Sequence, residues 1–340
     1  MKVSRWIALA MVVALVSSVA ATAAFGGSSR TAAPKAGIVA SLVSDVAGFN
    51  DNGFNKNQLV GLNKAVKKVG GTAVPLVSHS ASDYKPNFNS AIRKGAKVVI
   101  AAGFLLAPTM KTYAKQFPNV DFAITDDSYK DAGGYKNVEG LTYATEQGGC
   151  LVGVLAAKEA QKLGGNTIGA VGGIKIPPVD SYIAGYKYCA AKAVPGTKTI
   201  VQYSNDFNAQ DKCATVAQNE MGQGAKVIFQ VAGGCGIGAL KAAASAGNWG
   251  IGVDSDEFSV AKNILTSAVK KTDVGVYDAV TQAAAGKFQG GSDLKLNLKN
   301  NGVGVGKIHP SVPASWIKLM NRYRAKIVAG KLKPPASLGK

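Results

Sequence analysis

A glycine-rich turn followed by an acidic residue is the part of this sequence with the most specific chemical potential. Gly234-x-Gly236-x-x-Ala239 follows a short apolar run, and Asp254 stands twenty residues after Gly234. In dinucleotide-binding enzymes such glycines let the backbone approach a pyrophosphate, and the acidic residue binds a ribose hydroxyl. The same groups could hold another ribose-bearing ligand without redox chemistry, or the glycines could only start a helix. These residues alone leave all three interpretations open.

Acidic, amide and aromatic residues recur in the loops that follow other apolar runs. Aromatic faces suit a planar base, and carboxylates suit ribose hydroxyls or ring N–H groups. Each residue also has an ordinary explanation, because Asp and Asn cap helices and turns and a Phe can lie in a core. Taken together, the set predicts a ligand cleft lined from two sides: Asp45, Phe54 and Asn55 after the first predicted strand, Asp126 after the fourth, Phe207 after the sixth and Asp254 after the eighth.

The elements that must position these residues alternate along the chain. Helices are predicted between most strands, with one at 258–263 and a last one near 313–328. Such alternation indicates βαβ units and parallel sheets, so the predicted fold class is α/β. Ligands bind beyond the carboxyl ends of parallel strands, which is where the candidate residues stand. The predicted strands are 36–42, 72–77, 97–102, 120–125, 167–171, 199–203, 226–231, 249–253 and 264–268.

The length of the chain suits two domains of ordinary size. We expect two Rossmann-like three-layer domains with a hinge, joined by three crossings of the chain. The first domain is predicted to comprise residues 36–143 and about 255–290. The second is predicted to comprise residues 144–254 and about 291–340.

The first 24 residues have the pattern of a secretory signal peptide. Lys2 and Arg5 flank the start of an apolar core, Trp6 to Val16, and small residues at 20–24 offer a cleavage site. The core is short for a membrane span, although an uncleaved anchor is the alternative. No cysteine lies near the cleavage region, so a lipid anchor is not expected. We therefore expect an exported protein, in the periplasm or at the cell-envelope exterior.

The chain is strongly basic, with 39 Lys and Arg against 20 Asp and Glu and a formal net charge of +19. Such a charge raises the question of nucleic acid or anionic surfaces. Only five of the basic residues are arginines, and the lysines are spread along the chain without an arginine–aromatic stripe. The pattern therefore predicts a solvated lysine surface and no nucleic-acid partner.

Four cysteines stand at positions 150, 189, 213 and 235. An even number in an exported chain predicts disulfides, although buried free thiols are an alternative. Their spacing does not resemble a zinc site. Because Cys189 and Cys213 flank one predicted strand, the preferred pairing is Cys189 with Cys213 and Cys150 with Cys235.

Seven collinear segments carry a family resemblance that covers about residues 36–290. Through them the chain resembles the basic membrane protein family of ABC-transporter substrate-binding proteins. The resemblance implies a type I periplasmic-binding-protein fold and a purine nucleoside as ligand. The segments are Asp45 to Asn55, Phe122 to Asp126, Tyr143 to Ala157, Gly169 to Tyr186, Ala232 to Gly238, Gly252 to Asp256 and Leu265 to Lys270.

The resemblance also implies residue roles on the base side of such a ligand. Phe54 would stack on the base, with Asn55 beside it, and Phe207 would supply a second stacking face from the other domain. Asp126 would form hydrogen bonds with the base edge.

On the ribose side, the resemblance implies contacts from the backbone at Gly233 and from the side chains of Asp254 and Lys270. Asp45 would close the cleft floor. The chain departs from many family members in lacking a lipobox cysteine, and Cys235 lies inside the glycine turn.

The function expected from these residues is that of an extracytoplasmic solute-binding protein of an ABC importer, which closes its hinge around a nucleoside. The alternatives are an exported NAD(P)-dependent oxidoreductase, a binding protein for a flavin or sugar, and a chemoreceptor-coupled sensor. No hydride-transfer partner is evident, and His79 and His309 match no catalytic motif. We therefore expect no enzymatic activity, no cofactor and no metal, a monomeric state, and a membrane permease as the protein partner.

Overall fold

The protein is described here by a computed structural model that covers residues 37–339. The predicted signal peptide, residues 1–24, lies outside the described residues. Within 37–339, no helix is both long enough and apolar enough to cross a bilayer.

The first part of the described chain alternates strands and helices, as predicted. The first helix ends where Gly70 adopts a left-handed φ of 69° and donates its N–H to the carbonyl of Val66. One strand was missed, at the end of this part. The elements are β1 (Val39–Val43), α1 (Phe54–Val69), β2 (Thr72–Leu76), α2 (Tyr84–Arg93), β3 (Val98–Ala101), α3 (Ala107–Gln116), β4 (Asp121–Thr125) and the missed β5 (Val138–Tyr143).

The second part continues the alternation. The predicted glycine turn is the first turn of a helix, which begins at Gly233, and residues 258–263 form turns and not the predicted helix. The elements are α4 (Thr145–Lys162), β6 (Thr167–Gly172), α5 (Pro177–Ala193), β7 (Lys198–Tyr203), α6 (Gln210–Gly222), β8 (Val227–Val231), α7 (Gly233–Ser245), β9 (Trp249–Asp254), β10 (Ile264–Lys270), α8 (Thr272–Ala284), β11 (Ser292–Leu296), β12 (Val303–Val305) and α9 (Ala314–Val328).

The strands form two six-stranded sheets. The first has the order β11-β5-β4-β3-β1-β2 and is parallel throughout; the second has the order β12-β10-β9-β8-β6-β7, with only β12 antiparallel. Each sheet with its helices forms one lobe. The first lobe comprises residues 37–143 and 272–296, and the second lobe comprises residues 144–271 and 297–339. The chain therefore crosses between lobes three times, as expected.

Each sheet is covered on both faces, as a three-layer α/β arrangement requires. In the first lobe, α1 and α8 pack on one face and α2 and α3 on the other. In the second lobe, α4, α5 and α9 bury the larger core, whereas α6 and α7 cover the opposite face with small side chains. Strand β8 has the sequence VIFQV and is buried at every position, which explains its nearly continuous apolar run.

The predicted domain boundaries are corrected at two places. Ile264–Lys270 pairs with β9 in the second sheet, although we assigned it to the first domain. Ser292–Leu296 pairs with β5 in the first sheet, although we assigned it to the second. The return crossing therefore lies after Lys270, and β11 visits the first sheet before the chain crosses once more.

The predicted disulfide pairing, Cys189 with Cys213 and Cys150 with Cys235, is wrong. The structure has bonds between Cys150 and Cys189, which join α4 to α5, and between Cys213 and Cys235, which join α6 to α7. The flanking-strand argument fails because β7 is an edge strand, and the chain reverses its direction along the sheet after it. Helix α5 therefore lies on one face of the sheet and α6 on the other.

Candidate functional site

A cleft lies between the lobes, at the carboxyl ends of both sheets. It holds about 550 Å³ of empty space, its open mouth included. The residues that the sequence predicts for the site all line it: Asp45, Phe54, Asn55, Asp126, Phe207, Gly233, Asp254 and Lys270. Since both lobes contribute, the cleft can contact a ligand from two sides.

On the first lobe, a buried polar network links the loop after β1 to the start of α1. Asp45 Oδ1 accepts hydrogen bonds from Asn55 Nδ2 at 2.7 Å and from the Ala47 N–H at 2.9 Å. Asn55 Nδ2 also donates to Asp51 Oδ2, and Asn55 Oδ1 accepts from the Asp45 N–H. Asp51 receives the N–H groups of Gly53, Asn55 and Lys56, so it caps the helix. Asn55 is thus a positioning residue for Asp45.

The second carboxylate oxygen of Asp45, Oδ2, is the atom of this network that can bind a ligand. Within residues 37–339, no hydrogen bond reaches Oδ2, and Asp45 lines the cleft. Burial raises the pKa of Asp45 to about 7, opposed by its hydrogen bonds from Ala47 and Asn55 and aided by the nearby carboxylates of Asp51 and Asp126. The cleft therefore contains a carboxylic acid that ionises near neutral pH and whose Oδ2 can accept a hydrogen bond from a ligand.

Phe54 occupies the first position of α1, against the loop that follows β3. A Cβ atom on Gly103 would lie 3.0 Å from the Phe54 ring, and Gly103 has a φ of 115°. Both the contact and the backbone conformation favour glycine there. The absence of a side chain at Gly103 lets the Phe54 ring lie against the backbone and line the cleft.

Lys270 ends β10 and forms ion pairs with carboxylates from both lobes. Its Nζ lies 2.7 Å from Asp126 Oδ2 and 3.4 Å from Asp254 Oδ1, and only 3% of the side chain is exposed. The ammonium also lies 4.5 Å from the centroid of the Phe54 ring. Burial lowers the pKa of Lys270, but the two carboxylates outweigh it and the net shift is upward, so the ammonium keeps its charge.

The two carboxylates that hold Lys270 have an uncommon backbone conformation. Asp126 and Asp254 each directly follow or end a strand and have φ values of 66° and 60°. Non-glycine residues in this left-handed region are uncommon and cluster at ligand clamps. The turned backbone directs each carboxylate towards the cleft instead of continuing the strand.

The second lobe contributes an aromatic wall. A Cβ atom on Gly173 would lie 2.4 Å from the Phe207 ring, so the ring rests directly on the backbone there. Gly233, with a φ of 54°, begins α7 beside Phe207. The Cys235 N–H in this first turn donates to the Phe207 carbonyl, and the start of the helix favours ligand oxygens, as helix amino termini do.

Tyr182 was missed by the sequence analysis. It lies on α5, is almost fully buried, and donates its hydroxyl to Asp254 Oδ1 at 3.1 Å. Burial, followed by the charge of Asp254, raises its pKa well above the ordinary value, so it remains a donor. Tyr182 lies in one of the segments that carry the family resemblance, Gly169 to Tyr186, two residues after Asp180. That position was a signal from which it could have been predicted as a site residue. Asp51 and Gly103 were also missed, although Asp51 stands three residues before a predicted aromatic contact.

The lobes contact each other across the cleft. Asn57 Nδ2 on α1 donates to Ser255 Oγ at 2.9 Å, and Asn208 Nδ2 donates to the Val46 carbonyl at 2.8 Å. With the pair between Lys270 and Asp126, these contacts describe lobes that are closed on each other.

In the glycine-rich turn, Gly236 of the dinucleotide fingerprint and the neighbouring Gly238 have packing roles. A Cβ atom on Gly236 would overlap Gln230, and one on Gly238 would lie 1.9 Å from the Gln210 carbonyl oxygen. These glycines let α7 approach β8 and α6 closely. Among residues 37–339, no group of His, Cys, Asp and Glu side chains is arranged to hold a metal ion.

Two covered α/β lobes, three crossings and a cleft lined from both sides are the architecture of the type I periplasmic-binding fold. Residues 38–337 match the family model Bmp, described as ABC transporter substrate-binding protein PnrA-like. The chain belongs to this family. By this description its members are substrate-binding proteins of ABC transporters.

Two relatives illustrate the family. The ABC transporter nucleoside-binding protein BmpA of Lactococcus lactis is 33% identical over 325 residues, 89% of this chain and 90% of its own. The CD4+ T-cell-stimulating antigen of Listeria monocytogenes is 32% identical over 316 residues, 86% of this chain and 87% of its own.

Solved structures share the fold. A solute-binding protein of an ABC transporter system from Aeropyrum pernix has a TM-score of 0.79 at 24% identity, covering 88% of this chain and 94% of its own. One from Conexibacter woesei has a TM-score of 0.67 at 21% identity, covering 88% and 99%. The predicted fold class is confirmed.

Proposed function

We propose that this substrate-binding protein captures a nucleoside, with a purine favoured, for import by an ABC transporter. The observation that carries the proposal is the lining of one cleft by two phenylalanines from opposing lobes, Phe54 and Phe207, together with carboxylates from both lobes. A nucleobase is planar, so each of its faces can stack on one of these rings, and carboxylates can accept hydrogen bonds from the hydroxyls of a ribose.

The base side of the ligand would be read by acceptors. Asp45 Oδ2 and Asp126 can each accept a hydrogen bond from a ring N–H or an exocyclic amino group. Asp51, Asn55 and Gly103 hold Asp45 and Phe54 in position. A purine with an N–H on its edge would use these acceptors better than an apolar ring.

The ribose side would be held by the charged group at the ends of β9 and β10. Asp254 and Lys270 offer an acceptor and a donor for vicinal hydroxyls, and Tyr182 fixes Asp254. The start of α7 at Gly233 adds backbone N–H groups nearby. Hinge closure would exclude water and strengthen each of these contacts.

The relatives and the cysteines support the transport setting. The Lactococcus lactis relative is named as a nucleoside-binding protein. Two disulfides suit an oxidising compartment, in agreement with an exported chain outside the cytoplasm. We propose that a monomer delivers its ligand to a membrane permease.

Calorimetric titration tests the proposed ligand class. Guanosine, inosine and adenosine are titrated into the dialysed protein, with riboflavin, NAD and ribose as competing classes. We expect nucleosides to bind, and Phe54→Ala to weaken binding about tenfold to hundredfold, because base–aromatic stacking contributes about 1–3 kcal/mol. Phe258→Ala is the matched control, since Phe258 is a half-buried aromatic residue of the second lobe outside the cleft.

Binding of NAD without any nucleoside response would contradict the proposal and favour the oxidoreductase alternative. Binding of riboflavin or ribose alone would replace the ligand class. Equal losses in Phe54→Ala and Phe258→Ala would remove the stacking role.

A further inference from the structure

Helix α6 has few apolar anchors in the second lobe. Its buried residues are Cys213, Ala217 and Glu220, and the last of these is a carboxylic acid. The core that α6 shares with α7 is built mainly from alanines and cysteines, which bury little area per residue. The disulfide between Cys213 and Cys235 is therefore a large part of what fastens α6 to α7.

The loop that carries Phe207 leads directly into α6 and is held by Cys235. The Cys235 N–H donates to the Phe207 carbonyl at 2.9 Å. Cys235 Sγ lies 2.9 Å from the Ala209 carbonyl oxygen and 3.5 Å from Ser204 Oγ. Backbone and sulfur of one half-cystine thus contact the loop at three points.

Other contacts of this loop do not fix its far end within the lobe. Ser204 and Asn205 are tied at the near end to the carbonyls of Gly172 and Gly173. Asp206 bonds to Ser204 at the near end, to the next residues and to Lys212, and Asn208 bonds to the first lobe. Between Phe207 and Ala209, the backbone contacts the second-lobe framework through Cys235, and the Phe207 ring rests on Gly173.

We propose that the disulfide between Cys213 and Cys235 is a positioning bond for the ligand wall, which sets the Phe207 loop against the start of α7. The bond joins the two helices whose amino-terminal ends frame Phe207 and Gly233. Without it, the Phe207 ring would leave its seat on Gly173 and the aromatic wall of the second lobe would loosen.

The second disulfide supplies a matched comparison. Cys150 and Cys189 join α4 to α5 within the larger core, among Leu151, Leu155, Ile183 and Tyr186, all fully buried. That interface is held by many large side chains, which keep the spacing of α4 and α5 without the bond, so its loss should cost stability without moving a cleft residue. A disulfide effect on the cleft should therefore be specific to one pair.

Hydrogen–deuterium exchange of the ligand-free full chain tests the positioning directly. Cys213→Ala/Cys235→Ala is compared with Cys150→Ala/Cys189→Ala and wild type. We expect amides of residues 205–213 and 233–236 to exchange about tenfold faster in the first variant only. Cys213→Val/Cys235→Ala, which restores buried volume, serves if the alanine pair folds poorly.

A second readout, guanosine titration, rests on the proposed function. We expect Cys213→Ala/Cys235→Ala to weaken guanosine binding about tenfold, mainly through faster dissociation, while both disulfide variants lower the unfolding temperature. A wild type that binds no guanosine would contradict the proposed function and leave the exchange result to decide this inference. Unchanged exchange at 205–213, or equal changes in both variants, would overturn it.

Discussion

Asp45 shows how a single buried acid couples the cleft to pH. An Asp in the unfolded chain ionises near pH 4, whereas burial raises the pKa of Asp45 in the folded protein to about 7. Between these values the folded state holds the extra proton, so this residue's contribution to stability falls as pH rises and is fully lost above about 7. Asp45→Asn keeps the acceptor for Asn55 and removes the charge.

We therefore expect Asp45→Asn to be more stable than wild type at about pH 8, by an amount on the order of a few kcal/mol, and equal to it near pH 4. Thermal unfolding across this range measures the difference. Glu139, Glu220 and Glu257 also have raised pKa values, so the comparison with wild type isolates Asp45. If instead the difference in stability between the variant and wild type grew as the pH falls, the pKa of Asp45 would not be raised in the folded protein.

At the residue scale, the structure places the residues predicted for the site around one cleft, and several of them stand at the carboxyl ends of strands. Asp45, Asp126 and Asp254 stand where parallel strands end, and topology brings such ends together. Tyr182 was missed because it lies inside a helix whose orientation depends on packing. The polar network around Asp51 was missed because a capping role and a site role have the same local pattern.

Among the elements, α4 and α5 pack so closely that a position between them requires glycine. A Cβ atom on Gly149 would lie 2.1 Å from the Tyr182 carbonyl oxygen, whereas one on Gly148 would lie 3.6 Å from the Tyr182 ring. A side chain at position 149 would therefore force the helices apart, whereas one at position 148 would make an ordinary contact. Since Tyr182 supports Asp254, the spacing of these helices also affects the cleft.

We expect Gly149→Ala to destabilise the protein by about 1–3 kcal/mol or more, because overpacking outweighs a helix-propensity gain of at most about 1 kcal/mol. Gly148→Ala should be neutral or slightly stabilising. Denaturant unfolding of the two variants decides this. Equal stability of both variants would mean that the helices adjust without cost.

The predictions for strands and helices were wrong where they depended on which neighbouring element a strand or helix packs against. Strand β10 pairs with β9, but its apolar sequence fits either sheet and no local signal marks the crossing after Lys270, so this pairing could not be predicted. The cysteine pairing depended on which face of the sheet each helix covers, which the order of β6, β7 and β8 determines. Strand and helix periodicity alone contains neither fact.

For the whole molecule, the closed arrangement depends on hydrogen bonds that join one lobe to the other. The bonds from Asn57 to Ser255 and from Asn208 to Val46 join the lobes across the cleft. A hydrogen bond contributes about 0.5–1.5 kcal/mol net, so removing both should shift the equilibrium towards the open form. Asn166→Ala is the matched control, because Asn166 bonds within the second lobe.

We expect Asn57→Ala/Asn208→Ala to raise the ligand dissociation rate about tenfold and to increase the radius of gyration in solution scattering. The control should change neither. A double variant as compact as wild type would show that the ion pair between Lys270 and Asp126 is sufficient to hold the lobes together.

The interleaved chain path has a consequence for how the protein acquires its structure. The first sheet needs β11 at its edge, and the second needs β12, so neither is complete until residues near 300 are available. The pairing of β11 with β5, which finishes the first sheet, is parallel and spans a long stretch of sequence, and such long-range pairing makes folding slow. The lobes should therefore unfold as one cooperative unit, and a chain still emerging from the ribosome should remain in an unfinished state for most of its synthesis.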